Sequence, residues 1–168
     1  MKVAVIMRGI PGSGKSTVAT LLKNKWGASI HSTDSYHIHN DVYTYDKNKA
    51  ADYHQENHTA FMTSCAKEVP IVVVDNTNLW PNFYEPYCTS ARFYGYKILQ
   101  IKMCNATRVS THNIPVTVLE SMKAALKKYW KMRNPDYTII VPADATVEWI
   151  SNAIQNKLKH ITGEVDNV

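Results

Sequence analysis

The residues from Gly9 to Ser16 carry the most specific chemical signal in the chain. They read Gly-Ile-Pro-Gly-Ser-Gly-Lys-Ser and fit the spacing GxxxxGK[ST] of a loop that binds the phosphates of a nucleoside triphosphate. Glycines let successive backbone N–H groups point at one phosphate, and the helix expected to start near Lys15 adds the positive end of its dipole. Lys15 would reach the β- and γ-phosphates, and the Ser16 hydroxyl would bind Mg²⁺.

We therefore expect a single segment to hold the phosphate donor, ATP or another nucleoside triphosphate, together with Mg²⁺. The predicted binding residues are Gly12, Ser13, Gly14, Lys15, Ser16 and Thr17. The alternative is a glycine-rich turn without a ligand. The flanking segments argue against it, because a buried strand precedes the loop and an amphipathic helix follows it.

Two aspartates are expected at the carboxyl ends of strands, where open parallel sheets bind their ligands. Asp34 opens a segment rich in His and Tyr, and Asp75 ends the apolar run that begins at residue 70. An aspartate opposite the γ-phosphate can accept the proton of an attacking hydroxyl, and a second one can organise Mg²⁺ through its water shell. We assign the base role to Asp34. The structural alternatives are a cap at Asp34 and a turn at Asp75.

Arginines are the next candidates, because a guanidinium can span the oxygens of a phosphoryl group in transfer. Arg108 lies in a polar connection and is our candidate for a lid residue, the alternative being a solvated loop charge. Arg8 precedes the glycine loop and is either a strand-end charge or a ligand. The tyrosines and histidines between Tyr36 and Tyr45 could stack on a substrate or pack the loop against the sheet.

Alternating strands and helices must position these side chains. Short apolar runs predict strands at 3–7, 28–32, 70–75, 97–103 and 137–141, and helical spacing predicts helices at 16–26, 46–69, 81–95, 116–132 and 146–160. This alternation predicts a three-layer α/β fold with a parallel sheet and helices on both faces. We expect one domain over residues 1–162 and a flexible tail over 163–168.

Composition narrows the class of protein. Of the 168 residues, 45% are apolar and 20% charged, which is typical of a globular protein, and no apolar run is long enough to span a membrane. The three cysteines match no metal or redox pattern, so we expect reduced thiols and a cytoplasmic location. The net charge of +5 is compatible with a polyanionic partner.

The lysines at 123, 127, 128 and 131 recur with helical spacing. They could follow a nucleic-acid backbone. They could equally be the solvated face of a helix that buries Leu119, Met122 and Leu126.

Several motifs occur together in a specific order. They are Arg8-Gly-Ile-Pro-Gly-Ser-Gly-Lys-Ser-Thr17, Ser32-Thr-Asp-Ser-Tyr36, Val74-Asp-Asn-Thr-Asn-Leu79, Gly95-Tyr96 and His112-Asn-Ile-Pro115. In this order the chain resembles bacteriophage-type polynucleotide 5′-kinases and related P-loop kinases over residues 1–132. The phosphate loop alone is shared with many NTPases, whereas its combination with the second and third motifs is more specific.

The resemblance implies a five-stranded parallel sheet of order 2-3-1-4-5 and transfer of the γ-phosphate of ATP to the 5′-hydroxyl ends of DNA or RNA. It implies that Lys15 and Ser16 hold the triphosphate and that Asp34 is the general base. It places Asp75, Asn76 and Thr77 in the segment that shapes the metal and acceptor site. It also places Arg133 on the side of the adenine.

Three departures from the family pattern bear on the acceptor and the lid. Ser35 replaces a second aspartate found in many relatives, and Arg108 fits the lid motif only with a shift of one residue. His37 stands where polynucleotide kinases have an arginine that grips the phosphate of the acceptor. A kinase of a small metabolite, nucleoside or modified base is therefore an alternative, and a non-catalytic nucleotide-binding module is another.

Overall fold

Five parallel strands form the central sheet of the computed structural model, which describes residues 1–104 and 114–163. The strands are β1 (Val3–Arg8), β2 (Ser29–His31), β5 (Ile71–Val74), β6 (Lys97–Met103) and β7 (Tyr137–Val141). Their spatial order is β2-β5-β1-β6-β7. The predicted order 2-3-1-4-5 is confirmed, because β3 (Ile38–His39) and β4 (Val42–Tyr43) belong to a separate hairpin.

Alternate residues of the central strands point to opposite faces of the sheet, and helices cover each face. The helices are α1 (Lys15–Trp26), α2 (Ala50–Ala66), α3 (Pro81–Phe93), α4 (Val116–Lys128) and α5 (Val147–Thr162). Val3 and Val5 of β1 pack with α1 and α5. Ala4 and Ile6 pack with α2 and α3. The predicted three-layer α/β fold is confirmed.

The register of the strands brings the functional segments to one edge. Val74 of β5 lies beside His31 of β2 on one side and Ile6 of β1 on the other. The residues that follow these positions are therefore neighbours: the phosphate loop after β1, Thr33 to His37 after β2 and Asp75 after β5. This edge is where ligands bind in open parallel sheets.

The segment predicted as a loop at 36–46 contains a hairpin. A 3₁₀ helix (Thr33–His37) leads into β3 (Ile38–His39), which pairs antiparallel with β4 (Val42–Tyr43). Asn40 and Asp41 form its turn with φ of 51° and 62°. Both residue types tolerate this left-handed conformation, which a two-residue hairpin turn requires.

Two predicted helices are shorter than expected. The helix predicted from residue 46 begins at Ala50, because the Asp46 side chain accepts a hydrogen bond from the Asn48 N–H and holds a turn instead. The helix predicted to reach 132 ends at Lys128, and Ala125 is its buried residue. The predicted stripe of Leu119, Met122 and Leu126 is half-buried.

Other predicted features can also be located. Within the described ranges, none of the helices has the length and apolar character that a membrane span needs. Cys65, Cys88 and Cys104 are free cysteines. The predicted tail, apart from Gly163, lies outside the described residues.

Candidate active site

The phosphate loop joins β1 to α1 with the backbone geometry that its glycines permit. Gly12 and Gly14 have φ of 75° and 93°, a region that residues with a Cβ rarely adopt. A Cβ at Gly9 would come within 2.6 Å of Ser13 Oγ and 3.0 Å of Met103 Cβ. The N-cap of α1 is Gly14, which has no side chain to bind the first N–H groups of the helix. These groups therefore stay available to an anion.

Lys15 lies inside this loop. Its Nζ donates a hydrogen bond of 2.9 Å to the Ile10 carbonyl, and the residue is buried. Burial lowers the pKa of Lys15, and the negative charges of Asp75 and then Asp34 oppose that shift. The ammonium group is thus poorly solvated and within range of two carboxylate charges, and an added anion would interact with it strongly.

Asp75 and Ser16 are neighbours near Lys15. Asp75 is buried, which raises its pKa, while a hydrogen bond with Ser16 and the charge of Lys15 oppose the shift. Asp75 Oδ1 is buried without a hydrogen-bond partner. A buried carboxylate oxygen next to a hydroxyl suits Mg²⁺, which binds oxygen and takes its other ligands from water and phosphates. Across residues 1–104 and 114–163, no three His, Cys, Asp or Glu residues form a metal cluster.

Asp34 lies in the 3₁₀ helix after β2 and is exposed to solvent. Its charge acts on Lys15 and on Asp75, so the structure brings it to the same site as the phosphate loop. The hairpin supports it, because Tyr43 of β4 forms a side-chain hydrogen bond with Asp34. Burial, the charge of Asp34, the influence of Tyr45 and that hydrogen bond raise the pKa of Tyr43 to about 12. Tyr43 therefore remains a protonated donor at neutral pH.

Asn76 holds the segment that carries Asp34. Its Oδ1 accepts hydrogen bonds of 2.9 Å from both the backbone N–H and the hydroxyl of Thr33. It also interacts with the hydroxyl of Tyr87 in α3, which accepts a 2.9 Å hydrogen bond from Asn57 in α2. In this arrangement Asn76 is a positioning residue for Asp34. The resemblance instead predicts a contact with substrate, and that remains a prediction.

Replacing Asn76 with alanine is expected to lower kcat for phosphate transfer about 10- to 100-fold, because Asp34 would lose its fixed position relative to the phosphates. The dissociation constant for ATP should change little. Thr33→Ser, which keeps both donors to Asn76, is the matched control and should remain near wild type. Steady-state kinetics and hydrogen exchange of the Thr33 amide measure the effect. A raised KM for the acceptor with unchanged kcat would instead support a substrate contact by Asn76.

His37 is buried in an aromatic cluster of the loop. Its ring centroid lies 4.9 Å from that of Tyr45 and 4.8 Å from that of Tyr53, and its Nδ1 accepts a 3.3 Å hydrogen bond from the Asp46 N–H. Tyr36 stacks on Tyr53. In this conformation the aromatic residues pack the loop, one of the two roles left open by the sequence. Contact of His37 with an acceptor stays a prediction.

Thr77 and Asn78 connect Asp75 to the phosphate loop through the backbone. The Thr77 carbonyl accepts a 3.1 Å hydrogen bond from the Gly9 N–H. The Asn78 side chain donates a 2.8 Å hydrogen bond to the Met7 carbonyl, and its φ is 48°. These bonds fix the loop against the end of β5, whereas a side-chain role of Thr77 in substrate binding stays a prediction.

Arg8 is a structural residue whose importance the sequence did not reveal. It is fully buried and donates hydrogen bonds to Gln100 Oε1 and to the carbonyls of Asn78, Leu79 and Tyr129. Its guanidinium also lies over the ring of Tyr84. With its donors used in this way, Arg8 anchors the segments around the site, and the reading of it as a ligand is not supported.

Two further arginines, Arg133 and Arg108, are candidate ligands. Arg133 is largely exposed and forms an ion pair of 3.4 Å with Glu85 of α3. Its contact with the adenine stays a prediction. Arg108, the lid candidate, lies outside the described residues.

Comparison with known proteins identifies related sequences. The family described as an AAA domain matches residues 5–114, more than half of the chain. NEDD4-binding protein 2 of Homo sapiens is 35% identical over 98 residues, which cover 58% of this chain and 6% of that protein. The 2′,3′-cyclic-nucleotide 3′-phosphodiesterase of Rattus norvegicus is 28% identical over 113 residues, 64% of this chain and 25% of that protein. The chain thus spans a quarter or less of these relatives.

Solved structures share the fold at low sequence identity. A sugar kinase from Janibacter sp. superposes with a TM-score of 0.67 and 14% identity, and the match covers 95% of each chain. Such identity shows the fold alone, which is the α/β fold of P-loop kinases.

Proposed function

Because the chain belongs to the AAA domain family, we propose that it is an ATP-dependent kinase that phosphorylates the 5′-hydroxyl ends of DNA or RNA. One observation carries the proposal: the phosphate loop, Asp75 and the segment with Asp34 follow neighbouring strand ends, close enough for the charges of both carboxylates to act on Lys15. We also propose that residues 1–162 form one kinase domain acting in the cytoplasm.

Each side chain has a separate task in this reaction. The amides of the loop and Lys15 bind the phosphates of ATP, and Lys15 neutralises charge on the transferred group. Ser16 and Asp75 would hold Mg²⁺, which when bound neutralises phosphate charge. Asp34 accepts the proton of the acceptor hydroxyl as its oxygen attacks the γ-phosphorus and the bond to the β-phosphate oxygen breaks. The products are ADP and a 5′-phosphate. Arg108, the candidate for a lid residue, would add positive charge.

A nucleic-acid acceptor is favoured by four features. The motifs around Asp34 and Asp75 resemble those of polynucleotide kinases, and the chain has a net charge of +5. The lysines of α4 and of the turn after it are exposed, as contact with a phosphate backbone requires. One relative, by its name, acts on 2′,3′-cyclic nucleotides.

A small hydroxyl compound is the second candidate acceptor. His37 replaces an arginine that would bind an acceptor phosphate, and its buried ring carries no exposed charge to the site. A groove of about 560 Å³ beside the 3₁₀ helix is lined by Tyr36, Asp52, Gln55, Glu56, Thr59, Ala60 and Thr63. The carboxylates of Asp52 and Glu56 favour a neutral or cationic molecule there over a phosphate.

Radiolabelled ATP offered to single-stranded 5′-hydroxyl oligonucleotides and to a panel of nucleosides and sugars tests the proposal. We expect labelled oligonucleotide, with KM for the oligonucleotide rising as salt increases because backbone contacts release counterions. Label on nucleosides or sugars with none on oligonucleotides would favour the second candidate. Binding of ATP without transfer to any acceptor would favour a non-catalytic module.

A further inference from the structure

An aromatic surface extends from the neighbourhood of Asp34 to the start of α3. His54 of α2 is close enough to Asp34 and His37 for their charges to influence its pKa, which burial lowers. The ring centroid of His54 lies 5.6 Å from that of Phe83, and Phe83 lies 5.8 Å from Trp80. These three residues form what we term the aromatic platform.

The platform is open to solvent although its rings are large. Phe83 is 40% exposed, and His54 and Trp80 are half-buried. Exposed aromatic rings give up the free energy of burial, so three such rings in contact near the segment of a candidate base point to a ligand. Packing does not require Phe83 at this point, because Tyr84, Tyr87 and Cys88 of the same helix already fill the core.

We propose that the aromatic platform stacks on the nucleobase of the acceptor's terminal nucleotide while its 5′-hydroxyl faces Asp34. This inference rests on the proposed kinase activity. Every nucleobase has a π-face, so stacking on aromatic rings binds nucleic acid with little dependence on sequence. Stacking would also supply affinity that His37, with its ring packed among tyrosines, does not supply through a phosphate contact.

The difference in charge between the two faces of α2 supports this choice of occupant. The other face of α2 presents Asp52 and Glu56 to the groove described above, and these carboxylates would repel a phosphate backbone. His54 lies on the face that contacts α3, as shown by its contact with Phe83. A nucleic-acid end is therefore expected over the platform, and the acidic groove is expected to stay free of it.

Kinase assays with paired acceptors test the platform. Two oligonucleotides differ only in whether the 5′-terminal nucleotide carries a base or is abasic. Phe83→Leu, which keeps apolar area but removes the ring, should raise KM for the complete oligonucleotide about 10-fold. Phe83→Tyr keeps the ring and should remain near wild type, and so should Phe93→Leu, a matched change at the exposed far end of α3. KM for ATP should be unchanged in all of them.

The abasic acceptor separates stacking from a structural effect. For wild type, KM should be higher for the abasic acceptor than for the complete one, by about the factor by which Phe83→Leu raises KM for the complete one. In Phe83→Leu, removal of the base should raise KM no further. If the two increases in KM add, or if Phe93→Leu raises KM as much as Phe83→Leu does, the proposed role of the platform is wrong. If wild type labels neither oligonucleotide, the proposed activity fails. Fluorescence anisotropy of labelled oligonucleotides then tests binding at the platform by itself. The proposed role of the platform is wrong if Phe83→Leu binds the oligonucleotide as tightly as wild type.

Discussion

Replacing Asp34 with asparagine is expected to lower kcat for phosphate transfer by a factor of ~10²–10⁴, the usual contribution of a general base. The amide keeps the size of the side chain and can still accept a hydrogen bond from Tyr43, but it cannot take the proton of the acceptor hydroxyl. Asp34 is exposed and lies outside the phosphate loop, so the fold and the affinity for ATP should persist. Transfer assays and ATP titrations measure the two effects separately.

Asp41→Asn is the matched control for this experiment. Asp41 lies in the hairpin turn with φ of 62°, a conformation that asparagine adopts as readily. The control should have kcat close to that of wild type, because it changes the same charge near the site without removing the base. Turnover by Asp34→Asn equal to that of the control would exclude Asp34 as the base.

The sheet and the phosphate loop could be predicted because each is encoded locally. Continuous apolar runs such as the one ending at Val74 are typical of strands covered on both faces. The loop residues follow from steric needs within a few positions, as the close approach of Ser13 to Gly9 shows. Asp34 and Asp75 both follow strand ends, as the sequence predicts. The topology of a parallel sheet then brings their segments to one edge.

The hydrogen bonds that hold the site in place could not be predicted, because they join residues that are distant in sequence. Arg8 donates hydrogen bonds to carbonyls 70 to 121 residues away, and nothing in its local sequence separates it from an exposed strand-end charge. The bonds from Thr33 to Asn76 likewise join two strand ends. The hairpin differs from these contacts, because it does have a local signal in the sequence. Asn40-Asp41 is a plausible turn sequence between two short strands.

The carboxylates differ in a way that only the three-dimensional structure reveals. Asp75 is buried beside Ser16 and has an oxygen without a partner, whereas Asp34 is exposed on a segment held by Asn76 and Tyr43. A group that helps to hold a metal ion benefits from low solvation and a fixed position. A group that must meet a substrate hydroxyl has to be accessible. The environments therefore support the assignment of the base to Asp34.

Lys15→Met is the second change with a large expected effect, a fall in kcat of ~10²–10³ together with weaker binding of ATP. Methionine preserves much of the length of the side chain and removes only the ammonium group that would contact the β- and γ-phosphates. Lys23→Met, at an exposed position of the same helix, is the matched control and should leave both quantities unchanged.

The stability of Lys15→Met is measured beside its activity, so that a loss of function can be separated from a loss of folded protein. Burial lowers the pKa of Lys15, which means that holding its charged form in the folded protein costs free energy. Removing the charge relieves that cost, but it gives up the hydrogen bond to the Ile10 carbonyl and leaves the buried Asp75 without its neighbouring positive charge. The melting temperature should therefore fall, while the protein stays folded at the assay temperature. Calorimetry alongside transfer assays would then show a folded protein with little activity. A variant that transfers phosphate as fast as Lys23→Met would contradict the role of Lys15, because the loop would then act without its only lysine.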